Sequence, residues 1–374
     1  MDFAQLKTIK QNFVKELKVA NAGKKTSLPF IVHKLSSASI VRDGEVFQVV
    51  VIGGTVGKVA IVKKTSNDIQ ILEKKDEKRL EFREAEDFLS FINKELEDGT
   101  NTLALNFAYP IKPVFENGRL DGFLLAVTKE GSFHGLVGKL IGKEIENYIF
   151  EKRNKKIKVA AANDTVCLLT SGLSEYKEDE LAAGIVGTGF NMAFFLGKNK
   201  LVNLESANFD IFPQSREGRI IDVQSAQPGK ALFEKETAGA YLYKHFNLII
   251  KEKKIKYPQI SSTEELDAIS RKDITQVSEI AKNLITRSAQ LVACQIAGVA
   301  EFKKQPSSSP FPMEGEGRSE KDSVIFNMEG SLFWKANNYK ETVEQTVEQL
   351  VSRYNIKFVE IKDSAILGAA KLVA

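Results

Sequence analysis

Two stretches of this chain share one pattern: an apolar run that stops in a short turn of polar residues or glycine. In residues 159–191, VAAA runs into Asn163-Asp164-Thr165, and LAAGIV runs into Gly187-Thr188-Gly189 with Asn191 just beyond. Such runs predict buried strands. Small residues at the strand end let backbone N–H groups close on phosphate oxygens. A carboxylate at the end of the other run can then face the same reaction. The pairing points to phosphoryl transfer.

The rest of the pattern fills in around these two stretches. Apolar positions at Phe3, Leu6, Ile9, Phe13 and Leu17 predict an amphipathic helix within residues 1–40, followed by a linker holding Pro29. The β-branched run 47–51 ends in Ile52-Gly53-Gly54-Thr55 and is answered by 59–62, as in a hairpin. Alone, that turn is only a turn, although it also lets phosphates approach the backbone. A strand and a helix (85–96) follow within 69–99, then a β-type run 102–109 stopped by Pro110, a turn at 117–120, and the run 123–127 leading into Thr128-Lys129. Residues 137–153 predict a helix feeding the strand at 159.

Beyond Asn191, runs 192–196 and 201–204 pair across Gly197-Lys198-Asn199 and end in Glu205. Residues 230–302 read as mostly helical, at 231–246, 264–269 and 275–302, the last with small residues at 288–293. Residues 305–321, rich in Pro, Ser and Gly, read as a loop. A strand at 323–327 enters Glu329-Gly330-Ser331, and a helix (339–354), a strand (358–361) and a short helix (365–373) complete the chain. The strand–turn theme thus occurs at Gly53, at Gly187 and at Gly330. Phosphate-facing turns so far apart imply two α/β halves folded around one nucleotide. Neither the Walker A pattern nor GxGxxG is present.

Composition narrows the class. With 53 basic and 49 acidic residues the net charge is +4, close to balance, so nucleic acid is not an expected partner and the lysine runs at 152–158 and 251–256 read as solvated surfaces. The 374 residues suffice for two domains, and no run of 18 apolar residues or leader-like start occurs, so a soluble, cytoplasmic protein without membrane attachment is expected. Cys167 and Cys294 sit among apolar neighbours and read as buried hydrophobes. Three scattered histidines offer no transition-metal site.

Taken in order, VIGGT, LALNFAYP, GRLDGFLLAVTKEGSF, VAAANDTV, GIVGTGFN, LVNLES, LFEKETAGAYL, FNMEGS and LGAAK resemble the hexokinase family of the actin-like ATPase superfamily, over roughly residues 42–374. The resemblance implies an α/β, two-lobed actin-like (RNase H-like) fold of hexokinase type. Its lobes would be 42–165, closed by helix 365–374, and 166–364, preceded by a helix and linker at 1–41. It implies an ATP-dependent hexose kinase using Mg²⁺, with glucose the leading substrate, working as a monomer or homodimer. Asp164 falls at the family's general base, which accepts the proton of the sugar 6-hydroxyl. Thr128 and Lys129 match its sugar-contacting pair, and Lys129 could also stabilise transition-state charge. Asn163, Glu205 and Glu234 match residues that hydrogen-bond sugar hydroxyls, with Asn191 in the same region. Gly53, Gly54, Thr55, Gly187, Thr188 and Gly189 match the two phosphate loops, and Gly330 and Ser331 the adenosine-side turn.

The chain also departs from the pattern. Val51 replaces the aspartate that helps hold hydrated magnesium, Lys58 replaces an arginine, Ala108 a serine, and Ser206-Ala207-Asn208-Phe209-Asp210 stands where many members have WGAFG. Outside the motif order, Asp164 would read as a turn or helix-cap residue, Glu205 as a surface charge, and Glu234 as a first-turn helix carboxylate. Val51 leaves open a protein that binds sugar without phosphorylating it, or that regulates a partner. A kinase of the same fold acting on another sugar or polyol is a third reading.

Overall fold

The computed structural model describes residues 1–53, 57–66, 68–77, 82–125, 133–304 and 322–374. In chain order its elements are α1 (Phe3–Asn21), β1 (Ile31–Lys34), β2 (Val46–Ile52), β3 (Gly57–Lys64), β4 (Ile69–Glu77), α2 (Ala85–Glu95), β5 (Thr102–Phe107), β6 (Ile111–Glu116), β7 (Arg119–Leu124), α3 (Ile141–Arg153), β8 (Lys158–Ala162), α4 (Asp164–Ser171), β9 (Leu181–Val186), β10 (Phe190–Gly197) and β11 (Lys200–Asn203). They continue as α5 (Arg216–Gln224), α6 (Leu232–Thr237), α7 (Gly239–Glu252), α8 (Thr263–Ser270), α9 (Gln276–Lys303), β12 (Ser323–Glu329), α10 (Ser331–Lys335), α11 (Tyr339–Val351), β13 (Asn355–Val359) and α12 (Ser364–Ala370). The chain divides into two compact units. The first comprises residues 1–30, 184–192 and 204–360, and the second 31–183, 193–203 and 361–374.

The second unit is built on a five-stranded sheet in the order β4-β3-β2-β5-β8, with β2 antiparallel to β3 but parallel to β5, and β5 parallel to β8. Strands β2, β5 and β8 are nearly continuous apolar runs because both faces are covered. On one face, Val50, Leu105 and Phe107 join Phe88 of α2 and Ile145 of α3 in a single core. Edge-on aromatic contacts such as Tyr109–Phe133, 4.7 Å between centroids, fix its packing. The other face carries α12, whose backbone carbonyl at Ala365 accepts a hydrogen bond from Asn106 Nδ2. The turn expected at 117–120 joins β6 to β7, with Asn117 and Gly118 both at positive φ as a tight hairpin requires.

The first unit is mostly helical. Helix α1 starts from a capping box between Asp2 and Gln5, and Leu6, Ile9, Phe13 and Leu17 form its buried stripe. It packs along the 28-residue α9, where Gly298 leaves room for the Phe13 ring. Small residues let the two backbones approach. Strand β12 runs parallel to β13 in the same unit.

Several expected boundaries move. The helix expected at 137–153 begins only at Ile141, because the chain turns through Gly138 at positive φ. The segment 231–246 is two helices, α6 and α7, separated at Ala238. Helix 339–354 stops at Val351, strand 358–361 lies instead at Asn355–Val359, and the expected linker contains β1.

Candidate active site

In the first unit, the turn 187–189 is held from two sides. Gly187 N–H donates to Gly189 O at 3.0 Å, closing the turn on itself. From the other side, Gly239 N–H and Ala240 N–H, at the start of α7, donate to the carbonyls of Gly187 and Thr188 at 2.8 and 3.1 Å. The break at Ala238 therefore serves the turn: the free amides of a new helix start tie it down. Gly330 lies against the same turn. Its φ is +120°, and a Cβ there would overlap the Val186 carbonyl. Gly187 is more loosely confined, since its own Cβ would sit 3.3 Å from Gly330 Cα. The two turns expected to hold phosphate and adenosine are thus in backbone contact. They open onto a cavity of about 470 Å³ lined by Gly187, Thr188, Tyr243, Thr263, Glu264 and Ser331, ample for a nucleoside.

The expected sugar residues of this unit lie beside the turn. Glu234 Oε2 accepts from Phe190 N–H at 3.0 Å, and a Cβ on Gly189 would stand 3.1 Å from that oxygen. Burial pushes the Glu234 carboxyl above the ordinary carboxylate range, and the charge of Glu205 pushes the same way, against the lowering effect of the Phe190 amide. Asn191 Oδ1 accepts from Met192 N–H and Ser206 N–H, while its Nδ2 donates to Glu205 Oε1 at 3.4 Å. Glu205 sits at φ +49°, ψ +47°, a left-handed conformation that a glutamate adopts only when its surroundings hold it. Asn191 serves Glu205 and the backbone, a job its sequence position did not disclose.

A carboxyl with a raised folded-state pKa binds its proton more readily in the folded chain. The stability it contributes is full below the ordinary carboxylate pKa and is lost as pH rises through the raised one. Glu234→Gln keeps an acceptor for Phe190 and removes the charge. It is expected to raise Tm near pH 7, with the gap from the unmodified chain closing toward about pH 4. Thermal melts across that range check it, and a fall in Tm at neutral pH would contradict it.

In the second unit, Asn163 and Asp164 divide two jobs. Asn163 is the N-cap of α4, its Oδ1 accepting from Val166 N–H at 3.0 Å. Asp164, the first helical residue, is half-buried, and its Oδ1 accepts from Thr165 N–H at 2.7 Å and from Thr165 Oγ1 at 3.2 Å. The positive end of the helix stabilises its negative charge. Gly53 directly follows β2, but Gly54, Thr55, Thr128 and Lys129 lie outside the described residues, as does loop 305–321. Val51 is 6% exposed and registers with Asn106 on one side and Lys58 on the other. Among the described residues no group of three or more His, Cys, Asp or Glu is placed to hold a metal, and no helix is long and apolar enough to cross a membrane.

In the sequence, Gly239 and Ala240, which anchor the turn, stand out only as small residues inside LFEKETAGAYL, and Asn208, which binds the backbone at Glu205 and Ala231, gives no local signal.

Residues 250–374 match the family described as Hexokinase. The chain is 26% identical over 329 residues to Hexokinase-2 of Solanum tuberosum, covering 73% of this chain and 64% of that protein, somewhat under two thirds of the relative's length. It is 24% identical over 453 residues to Hexokinase-1 of Saccharomyces cerevisiae, covering 100% of this chain and 89% of the yeast protein. Among solved structures, a hexokinase from Schistosoma mansoni complexed with glucose superimposes with a TM-score of 0.78 at 17% identity, over 100% of this chain and 95% of that one. The fold is the α/β fold of the actin-like sugar kinases, hexokinase type. In sequence, the chain is similar to hexokinases over residues 250–374 and, at 24–26% identity, to the Solanum tuberosum and yeast proteins.

Proposed function

We propose that the chain transfers the γ-phosphoryl group of ATP to the 6-hydroxyl of a hexose, with glucose the leading candidate, as a cytoplasmic enzyme of carbohydrate metabolism. One observation carries the reading: the turn 187–189 borders both the nucleoside-sized cavity, through Gly187 and Thr188, and the Glu234 carboxyl, through Gly189. A phosphoryl donor seated in the cavity would extend its phosphates along the turn toward a polyol held by Glu234 and Glu205. Glycine at 330 supports this reading by letting its turn close against the Val186 carbonyl, where a side chain would not fit.

In the proposed step the sugar oxygen bonds to the γ-phosphorus as the bond to the ADP oxygen breaks, and Asp164 takes the hydroxyl proton. The Thr188 and Gly189 amides would meet the phosphate oxygens, and Lys129 would add positive charge as the transition state forms. Magnesium would neutralise phosphate charge when bound. Val51 offers it no carboxylate, and no step above depends on it.

Val51 favours a second reading, a protein that binds hexose and turns over ATP poorly or not at all. A coupled assay with ATP and Mg²⁺ against glucose, mannose, fructose and glucosamine separates the two. Sugar-dependent ADP formation is expected. No turnover with any sugar, together with a sugar-induced rise in Tm, would put the binding protein in its place.

A further inference from the structure

We propose that Asn208 is a positioning residue that joins the two sugar-facing carboxylates, Glu205 and Glu234, into one hydrogen-bonded unit. The proposal rests on the hexose-binding reading above. Asn208 Nδ2 donates to the Glu205 carbonyl at 3.1 Å, and its own N–H donates to the same oxygen at 3.1 Å. Its Oδ1 accepts from Ala231 N–H at 3.2 Å. Both residues it grips are in the left-handed region, Glu205 at φ +49° and Ala231 at φ +50°. Neither is a glycine or an asparagine, so each conformation must be held from outside.

The two ends of this bridge lead to the two carboxylates. Glu205 is at one end directly. At the other, Ala231 is the residue from which α6 starts, and it places Glu234 in the first turn of that helix. The path then closes: Glu234 Oε2 accepts from Phe190 N–H, the next residue is Asn191, and Asn191 Nδ2 returns to Glu205 Oε1. A closed path of hydrogen bonds, completed by the chain segments 231–234 and 190–191, thus runs through Asn191, Glu205, Asn208, Ala231 and Glu234, entirely within the first unit. Two half-buried carboxylates that repel one another through the charge of Glu205 on Glu234 need such a frame to stay at a fixed spacing. Asn208 is the member that joins through its side chain yet neither carries charge nor was matched to a sugar contact. It supplies a donor to one side and an acceptor to the other, which the two ends of a carboxamide can do at once.

The test compares Asn208→Ala and Asn208→Asp with the unmodified chain, reading hexose affinity by calorimetry without nucleotide, then KM for hexose, KM for ATP, kcat and Tm. Asn208→Ala is expected to weaken hexose binding and raise its KM by about tenfold, the scale of one or two lost hydrogen bonds, with KM for ATP unchanged. Asn208→Asp retains the acceptor for Ala231 and loses the side-chain donor to Glu205, so it is expected to fall between the two and to remain folded. Coupling should also appear in a cycle with Glu205→Gln, whose effect on hexose affinity shrinks once Asn208 is alanine. A lower Tm with hexose KM unchanged in both variants would overturn the proposal and leave Asn208 as a loop staple. Failure of the unmodified chain to bind any hexose would instead overturn the sugar-site reading, and this proposal with it.

Discussion

Asp164→Asn is expected to lower kcat by about 10²–10⁴-fold, the range for loss of a positioned general base, with Tm close to that of the unmodified chain. The geometry separates the proposed catalytic role from the structural one. A carboxylate at the start of a helix is commonly its cap, and removing a cap costs about 1 kcal/mol. Here the cap is Asn163, whose Oδ1 holds Val166 N–H, so α4 does not depend on Asp164 for its first turn. Asparagine at 164 keeps an oxygen for Thr165 N–H and gives up the ability to take a proton, together with a helix-end charge contribution of about 0.3–1 kcal/mol. Asn163→Ala should do the reverse: Tm falls, and any loss of kcat follows from a loosened α4. Coupled ADP-release assays and melts on both variants check this pair. Retention of kcat within a few-fold in Asp164→Asn would remove Asp164 as the base and leave the transfer without an assigned proton acceptor.

How far this could be read from the residues differs from element to element. The strands around the phosphate turns were legible because β2, β5 and β8 are β-branched or small apolar runs that end abruptly in turn residues. Strand β1 was not, since four residues are too few to set a period and Pro29 precedes them. The β6–β7 hairpin was hidden in part by Pro113, which weakens a strand signal even though it is tolerated there. Residues 231–246 kept helical periodicity across Ala238, and the break follows from a tertiary bond, Gly239 N–H to Gly187 O, that leaves no trace in local pattern. The same holds within the site. Glu205 and Glu234 were found through their place in a motif order, whereas Asn208 acts through backbone groups 3 and 23 residues away and lies where this chain departs from that order. Residues that touch a ligand leave a chemical signature; residues that hold them in place leave one only in the folded chain.

The closing LGAAK motif acts through packing, and Gly368→Ala is expected to cost about 3 kcal/mol or more of stability, the upper end of overpacking. Helix α12 lies against α4 within the second unit, and a Cβ on Gly368 would overlap the backbone carbonyl of Cys167. A flexible side chain could swing aside, but a helix backbone cannot. The approach is also bonded, because Thr170 Oγ1, one turn along α4, donates to the Gly368 carbonyl at 2.9 Å. Ile366, Ala369 and Ala370 around it are fully buried, so α12 has no free direction in which to retreat. Any shift would be transmitted to α4, whose first residue is Asp164, so kcat should fall along with stability. Gly99→Ala provides the control, since a Cβ there meets nothing within 4 Å and its φ is not in the left-handed range. Denaturant unfolding of the two variants decides the matter. A midpoint for Gly368→Ala matching that of Gly99→Ala would mean that the two helix backbones do not meet as closely as this structure places them, and that Asp164 does not take its position from the C-terminal helix.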